Sequence, residues 1–335
     1  MAVRIYGTIG PACENRKVLS EMFRAGMTGV RLNLSHVSLN ESRDALDVVR
    51  AAAEENDIVP EILIDMQGPE MRIGELPEEG LALSAGECIR MDRDLPLKEE
   101  VIVALKMGDK VFLDDGKIEL DVVSVGYDGG GRTVLAEVIR GGLLLSRKSI
   151  AIKGKDFGLP ALTERDIENI GLAAERGVTG VMQPFVRNSG DLKAVREALD
   201  AAGGKNIRLL AKVESLKGVE NLAEFMDHAD EIVIARGDLG NAMPLWKLPG
   251  LQKRIAAMCR DKDKDFMVVT QMLASMEHSP VPTRAEVSDI YNAVLDGAAS
   301  VMVTGETAVG DYPVETIKYL KLVAAEAERG LKHGA

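Results

Sequence analysis

Eight short runs of β-forming residues, each closing on a polar residue or a glycine, narrow the folds open to this chain more than any other feature. They are VRIYGTIG from Val3, GVRLNLS from Gly29, EILIDMQG from Glu61, GVMQPFV from Gly180, IRLLAKVE from Ile207, EIVIARGD from Glu231, FMVVTQM from Phe266 and SVMVTGE from Ser300. Most are separated by stretches such as NRKVLSEMFRAGM, SRDALDVVRAAAEEN, TERDIENIGLAAERG, DLKAVREALDAAGG and PVETIKYLKLVAAEAERG, in which apolar residues recur at three and four. That period is helical. Strands alternating with helices of this length predict βαβ units and a parallel sheet. Eight such units in about 250 residues predict an α/β fold, a (β/α)8 TIM barrel, whose active site lies where the strands end. The polar strand ends therefore face the chemistry. Thr163, with Asp166 three residues on, marks one helix start by a variant of the capping box.

One interval breaks the rhythm. The third run ends near Gly68, and the next helix begins only near Thr163. The intervening segments KVFLDDGKIELDVVSVG and GRTVLAEVIRGGLLL alternate apolar with polar and contain Asp-Gly and Gly-Gly turns. They predict a small antiparallel β domain at residues 73–157, inserted after strand 3 of a barrel built from 1–72 and 158–335. No further domain is expected before the chain stops at Ala335.

Composition agrees with such a fold and excludes several functions. With 335 residues, 46% hydrophobic and 28% charged, the chain buries a sizeable core. No apolar run reaches the ~18 residues of a spanning helix, and MAVRIYGTIG lacks the features of a signal peptide. A cytoplasmic location and no membrane partner are the expectations. Cys13, Cys88 and Cys259 are odd in number and widely spaced, which argues against a disulfide framework. A net charge of −12 argues against nucleic acid. His36, His228, His278 and His333 lack zinc-ligand spacing. Gly129-Gly130-Gly131 and Asp114-Asp115-Gly116 read as turns, and DKDKD from Asp261 as a solvated loop.

The strand ends carry the chemistry. Lys212 and Glu214 stand two apart in AKVES, so both side chains share one face, toward the barrel interior with Leu210. Burying that pair is costly without a partner or a metal. The next run ends in ARGDLG, where Asp238 lies close enough in the strand order to share a hard cation with Glu214. The amides of Gly237 and Asp238, at a helix start, suit a substrate carboxylate. Arg31, Asn33 and Ser35 alternate in RLNLS, so one strand face presents a guanidinium, an amide and a hydroxyl. Asp65 ends the third run, and Thr270 and Thr304 close the seventh and eighth.

Taken in order, GTIGPA, AGMTGVRLNLSH, LIDMQGPEMR, LDDGKI, LPALTERDI, PFVR, AKVES, ARGDLG, TQMLASM, SPVPTRAEVSD and VTGETAVGDYPVE resemble the pyruvate kinase family over essentially the whole chain, in a short form lacking the C-terminal regulatory domain. The resemblance implies phosphoryl transfer from phosphoenolpyruvate to ADP, giving pyruvate and ATP, with Mg2+ (or Mn2+) and K+. It implies Glu214 and Asp238 as ligands of the divalent metal. Lys212 and Arg31 become the groups that neutralise the phosphoryl charge, and Thr270 lies near the carbon that takes a proton. Gly237, Asp238, Thr270 and Lys212 bind substrate. Asn33, Ser35, Asp65 and the Met66 carbonyl match the potassium site, and Glu70 matches the potassium-dependent branch. Arg31, Asn33, His36, Arg72 and Lys148 match nucleotide-facing positions. A homo-dimer or higher homo-oligomer through the barrel goes with the family.

The chain also departs from the family pattern. Met66-Gln67 replaces a Thr-Lys pair, Pro184 a serine, Val37 a glycine, and Lys153-Gly154 a Pro-Gly pair. These departures leave open a lyase or hydrolase that uses the same metal and enolate-stabilising residues on a phosphoenolpyruvate-like or keto-acid substrate. A non-catalytic binding protein is the third reading, against which the retention of Lys212, Glu214, Asp238 and Thr270 together counts.

Overall fold

The computed structural model describes residues 2–35, 37–114, 116–155 and 157–333. Each of the eight runs forms a strand: β1 Arg4–Thr8, β2 Gly29–Asn33, β3 Glu61–Asp65, β4 Gly180–Gln183, β5 Arg208–Val213, β6 Glu231–Ala235, β7 Asp265–Val269 and β8 Ser300–Val303. Every neighbouring pair is parallel, and β1 pairs with both β2 and β8, so the sheet closes. Closure leaves no edge strand exposed. Alternation divides the strand residues between two cores. Tyr6, Leu63, Met182, Leu210, Val233, Ala235, Met267, Val269 and Met302 fill the barrel interior. Their neighbours, including Ile5, Val30, Ile64, Val181, Ala211, Val213, Ile234, Val268 and Val301, pack outward into the larger layer shared with the helices.

The N-terminal mouth of the barrel is closed by polar residues that the sequence reading did not single out. Arg4 donates to Glu231 at 3.1 Å and to Asp265 at 2.9 Å. Arg208 reaches Glu231 at 3.1 Å and the Tyr6 hydroxyl at 3.1 Å, and also pairs with Glu61. Ser300 donates to Glu231 as well. Glu231 is fully buried, and burial raises its pKa despite Arg4, Ser300 and Arg208. These residues lie at strand starts, the stabilising end of such a barrel.

The chain divides into two compact units, 1–69 with 160–335, and 70–159. The second has its own core, including Ile89, Met91, Val101, Leu120, Val134 and Val138. Its principal sheet is five-stranded and antiparallel, and Leu81–Leu83 pairs with Gly142–Leu144 in a separate ribbon. The resemblance implies a small antiparallel β-barrel lid for this insertion; among the described residues its strands form this five-stranded sheet and the ribbon. The short helices Met91–Asp94 and Glu99–Ala104 bring Met91, Val101 and Ile102 into its core. Strands Ile118–Asp128 and Gly131–Arg140 form a hairpin, and the glycine run makes its turn, where Gly130 N–H donates to Asp128 Oδ1 at 2.8 Å.

Candidate active site

Alternate strands contribute side chains to the same interior layer, so residues of β3 and β5 meet across β4 at the C-terminal rim. Asp65, the last residue of β3, is the hub of this rim. Its Oδ2 accepts from Arg31 Nε at 2.9 Å and Nη2 at 2.7 Å, and its two oxygens lie 3.1 and 3.0 Å from Lys212 Nζ. Lys212 Nζ also lies 3.0 Å from Glu214 Oε1. The other Glu214 oxygen accepts from the Phe185 backbone N–H at 2.8 Å. Arg31 Nη1 completes the cluster with Thr8 Oγ1 at 3.3 Å.

Two cations and two carboxylates thus share one pocket with side-chain exposures of 13% for Arg31 and Lys212, 3% for Asp65 and 2% for Glu214. Burial acts to raise the Asp65 pKa, but Lys212 and Arg31 outweigh it and hold the carboxyl below its ordinary range. Burial equally works against the Lys212 ammonium, and Asp65 with Glu214 overcomes it, so the lysine pKa is raised. The pair stays ionised at neutral pH. The cluster is formally neutral, +2 balanced by −2. A divalent cation drawn to Glu214 would compete with Lys212 for that carboxylate and leave a net positive pocket, the environment a phosphoryl group requires.

The neighbouring strand ends are bent. Phe185 after β4 has φ +50°, and Thr270 and Gln271 after β7 have φ +77° and +54°. The left-handed region is unusual for any residue but glycine, and more so for a β-branched one. Phe185 is held there as its N–H meets Glu214. A Cβ added at Gly237 would lie 3.1 Å from Thr270 Cγ2, so this glycine lets the two strand ends approach. Gly237 and Asp238 occupy the first turn of the helix Arg236–Ala242 that follows β6. Asn33 accepts from Ser35 N–H at 3.3 Å and is in register with Asp65. Met66 is buried, and its N–H donates to the Met182 carbonyl at 3.2 Å.

Arg72 and Lys148 fall in the inserted unit. The segments that carry them run side by side, Arg72 bridging to Ser149 and Ile73 N–H donating to the Lys148 carbonyl at 2.9 Å. Each cation has a carboxylate of its own unit, Arg72 with Glu70 at 2.5 Å and Lys148 with Asp114 at 2.9 Å. His36 lies outside the described residues. Among the described residues no three His, Cys, Asp or Glu side chains gather into a metal cage.

Sequence reasoning missed three supports of this rim. Asp166 accepts from the N–H groups of Gln67 at 2.9 Å and Gly68 at 3.0 Å, fixing the loop after β3. Glu306 accepts from Leu273 N–H at 3.2 Å and Thr304 N–H at 2.7 Å, tying the loops after β7 and β8 together. Arg236 grips the Thr270 carbonyl. The acidic pair had signals, the capping spacing for Asp166 and the motif GETAVG for Glu306; Arg236 had only its place beside Gly237.

A closed parallel barrel with paired cations and carboxylates on its C-terminal rim is the architecture of a (β/α)8-barrel enzyme. A family model described as pyruvate kinase, barrel domain, matches residues 1–317. Similar proteins include the pyruvate kinase of Geobacillus stearothermophilus, 36% identical over 98% of this chain and 57% of its own length. The Chlamydia pneumoniae enzyme is 37% identical over 98% and 69%, and that of Trypanoplasma borreli 36% over 97% and 66%. The chain belongs to the pyruvate kinase family. It spans between 57% and 69% of the length of these three relatives.

Proposed function

We propose that this protein transfers a phosphoryl group from phosphoenolpyruvate to ADP, forming ATP and, after uptake of one proton at the methylene carbon, pyruvate. The observation that carries the reading is the buried Arg31–Asp65–Lys212–Glu214 cluster on the barrel rim. Phosphoryl transfer asks little covalent help of a protein and depends on positioned positive charge around the non-bridging oxygens. Arg31 and Lys212 provide that charge, and Asp65 aims both of them. Lys212 also faces the oxygen that becomes enolate-like as the phosphoryl group leaves. The amides of Gly237 and Asp238 hold the substrate carboxylate, and Thr270 guides the proton to carbon.

Glu214 and Asp238 would hold Mg2+ or Mn2+, which supplies Lewis-acid stabilisation of the transferred group. Asn33, Ser35, Asp65 and the Met66 carbonyl would hold K+, in keeping with Glu70. Nucleotide-contacting roles are assigned to Arg31, Asn33, His36, Arg72 and Lys148. A cytoplasmic setting and a homo-oligomer go with this reading.

A coupled assay of pyruvate from phosphoenolpyruvate and ADP with magnesium and potassium tests it. ATP and pyruvate should appear in equal amounts. Pyruvate released without ATP would instead favour the hydrolase reading, for which the observation is that Gln67 and Pro184 depart from the family beside this cluster and Pro184 abuts Gly68. No turnover by folded protein in the presence of both ions would sink the phosphotransferase reading.

A further inference from the structure

We infer that Arg236 is a positioning residue for Thr270, holding the end of β7 in a bend that Thr270 itself disfavours and locking it to the helix that carries Gly237 and Asp238. The inference rests on the reading of the site given above. A threonine at φ +77° followed by a glutamine at φ +54° is a strained pair. Such conformations are unfavourable and persist only where the surroundings impose them. Arg236 imposes this one. Its Nε and Nη2 donate to the Thr270 carbonyl at 3.1 and 2.8 Å, and Nη2 also reaches the Gln271 carbonyl at 3.1 Å and Met272 Sδ at 3.0 Å.

The guanidinium is fixed from behind. Nη1 donates to Asp289 Oδ2 at 2.5 Å, on the helix Arg284–Leu295, and the arginine side chain is only 10% exposed. All three of its nitrogens therefore engage the loop or its anchor. Only a planar fork reaches two successive carbonyls and a carboxylate at once; a lysine ammonium in the same place cannot. Arg236 also directly precedes Gly237, whose missing Cβ leaves room for the Thr270 methyl group. One side chain thus sets the distance between the amides assigned to the substrate carboxylate and the residue assigned to the proton. Arg236 acts through Thr270 and not on the substrate.

The test is a double-mutant cycle of Arg236→Gln and Thr270→Ala, with Arg236→Lys alongside, reading kcat, KM for phosphoenolpyruvate and exchange of pyruvate methyl protons with D2O by NMR. Arg236→Gln should lower kcat about 10²-fold, the scale of a misplaced reacting group, with little change in KM. Proton exchange should fall in parallel. Arg236→Lys should fall nearly as far, and the double variant should be no worse than Thr270→Ala alone, since residues acting as a unit are non-additive. Additive losses, or wild-type kcat in Arg236→Lys, would overturn the inference. If the Arg236 variants do not fold, Asp289→Asn, which loosens the anchor and keeps the fork, carries the same cycle, with a smaller loss that vanishes beside Thr270→Ala. A wild type that makes no pyruvate removes the phosphotransferase reading and this inference with it; an active wild type with additive losses removes this inference alone.

Discussion

Lys212 faces three carboxylate oxygens within 3.1 Å, and its raised pKa follows from that company. Replacing it by methionine keeps the volume and removes the charge. The Lys212→Met variant should lower kcat by at least ~10³ in the coupled assay, the scale of a lost electrostatic contact to the transition state; near-normal turnover would refute its role. Asp65 gives a pH signature. Its folded pKa is depressed, so the stability it contributes is present above the unfolded value of about 3.9 and is lost as pH falls through the folded value. Urea midpoints should hold from pH 8 to 5 as far as this group decides, then decline in acid. Asp65→Asn should flatten part of that decline and cost about 3–5 kcal/mol at pH 7, because two buried cations lose their counter-charge. Lys212 and Glu214 were legible as a same-face pair, two apart on a strand. That both Arg31 and Lys212 converge on Asp65 was not, since nothing local to three separate strands states which residues face each other.

Elements here do double work. The helix Glu164–Ala173 starts at a capping box in which Thr163 and Asp166 satisfy each other, as their spacing indicates. The same Asp166 carboxylate also receives Gln67 and Gly68, so one helix cap fixes the loop after β3. Asp166→Ala should therefore cost about 3 kcal/mol in denaturant unfolding, a cap plus two buried hydrogen bonds to a charged group, more than a cap alone. The β6 helix makes a similar point through its glycine. Gly237→Ala would place a methyl group 3.1 Å from Thr270 Cγ2, and a shift of a few tenths of an ångström should lower kcat about tenfold while thermal stability changes little. An unchanged kcat would detach Gly237 from the site. Strand and helix periods were readable because each is a local pattern; the positive φ angles of Phe185, Thr270 and Gln271 were not, because their residue types give no hint of the turn that tertiary contacts impose.

At the scale of the whole molecule, the proposed reading has a chain of net charge −12 handle phosphorylated anions, which would rely on cations collected at one rim and on bound metal. Chelation with EDTA should abolish pyruvate formation, and Mg2+ or Mn2+ should restore it. Rates should be higher in K+ than in Na+; equal rates in the two salts would count against the site assigned to Asn33, Ser35, Asp65 and Met66. No helix of the described residues is long and apolar enough to cross a membrane. The insertion was visible as an interruption between Gly68 and Thr163 and as alternating strands. Its strand order was not, since pairing between segments apart in the chain is set by tertiary packing.

By itself, then, the sequence determined the barrel, through eight short apolar runs whose alternation leaves one face for the interior and one for the helices, and it marked the rim on which polar residues collect. Only the tertiary structure decided how those residues pair: Asp65 with both Arg31 and Lys212, Glu214 with the Phe185 N–H, Arg236 with the Thr270 carbonyl. The physical reason is range. Periodicity and capping act within one turn or one strand, whereas barrel closure brings strand ends far apart in the chain within hydrogen-bonding distance, and the register of that closure is settled by the packing of the whole interior.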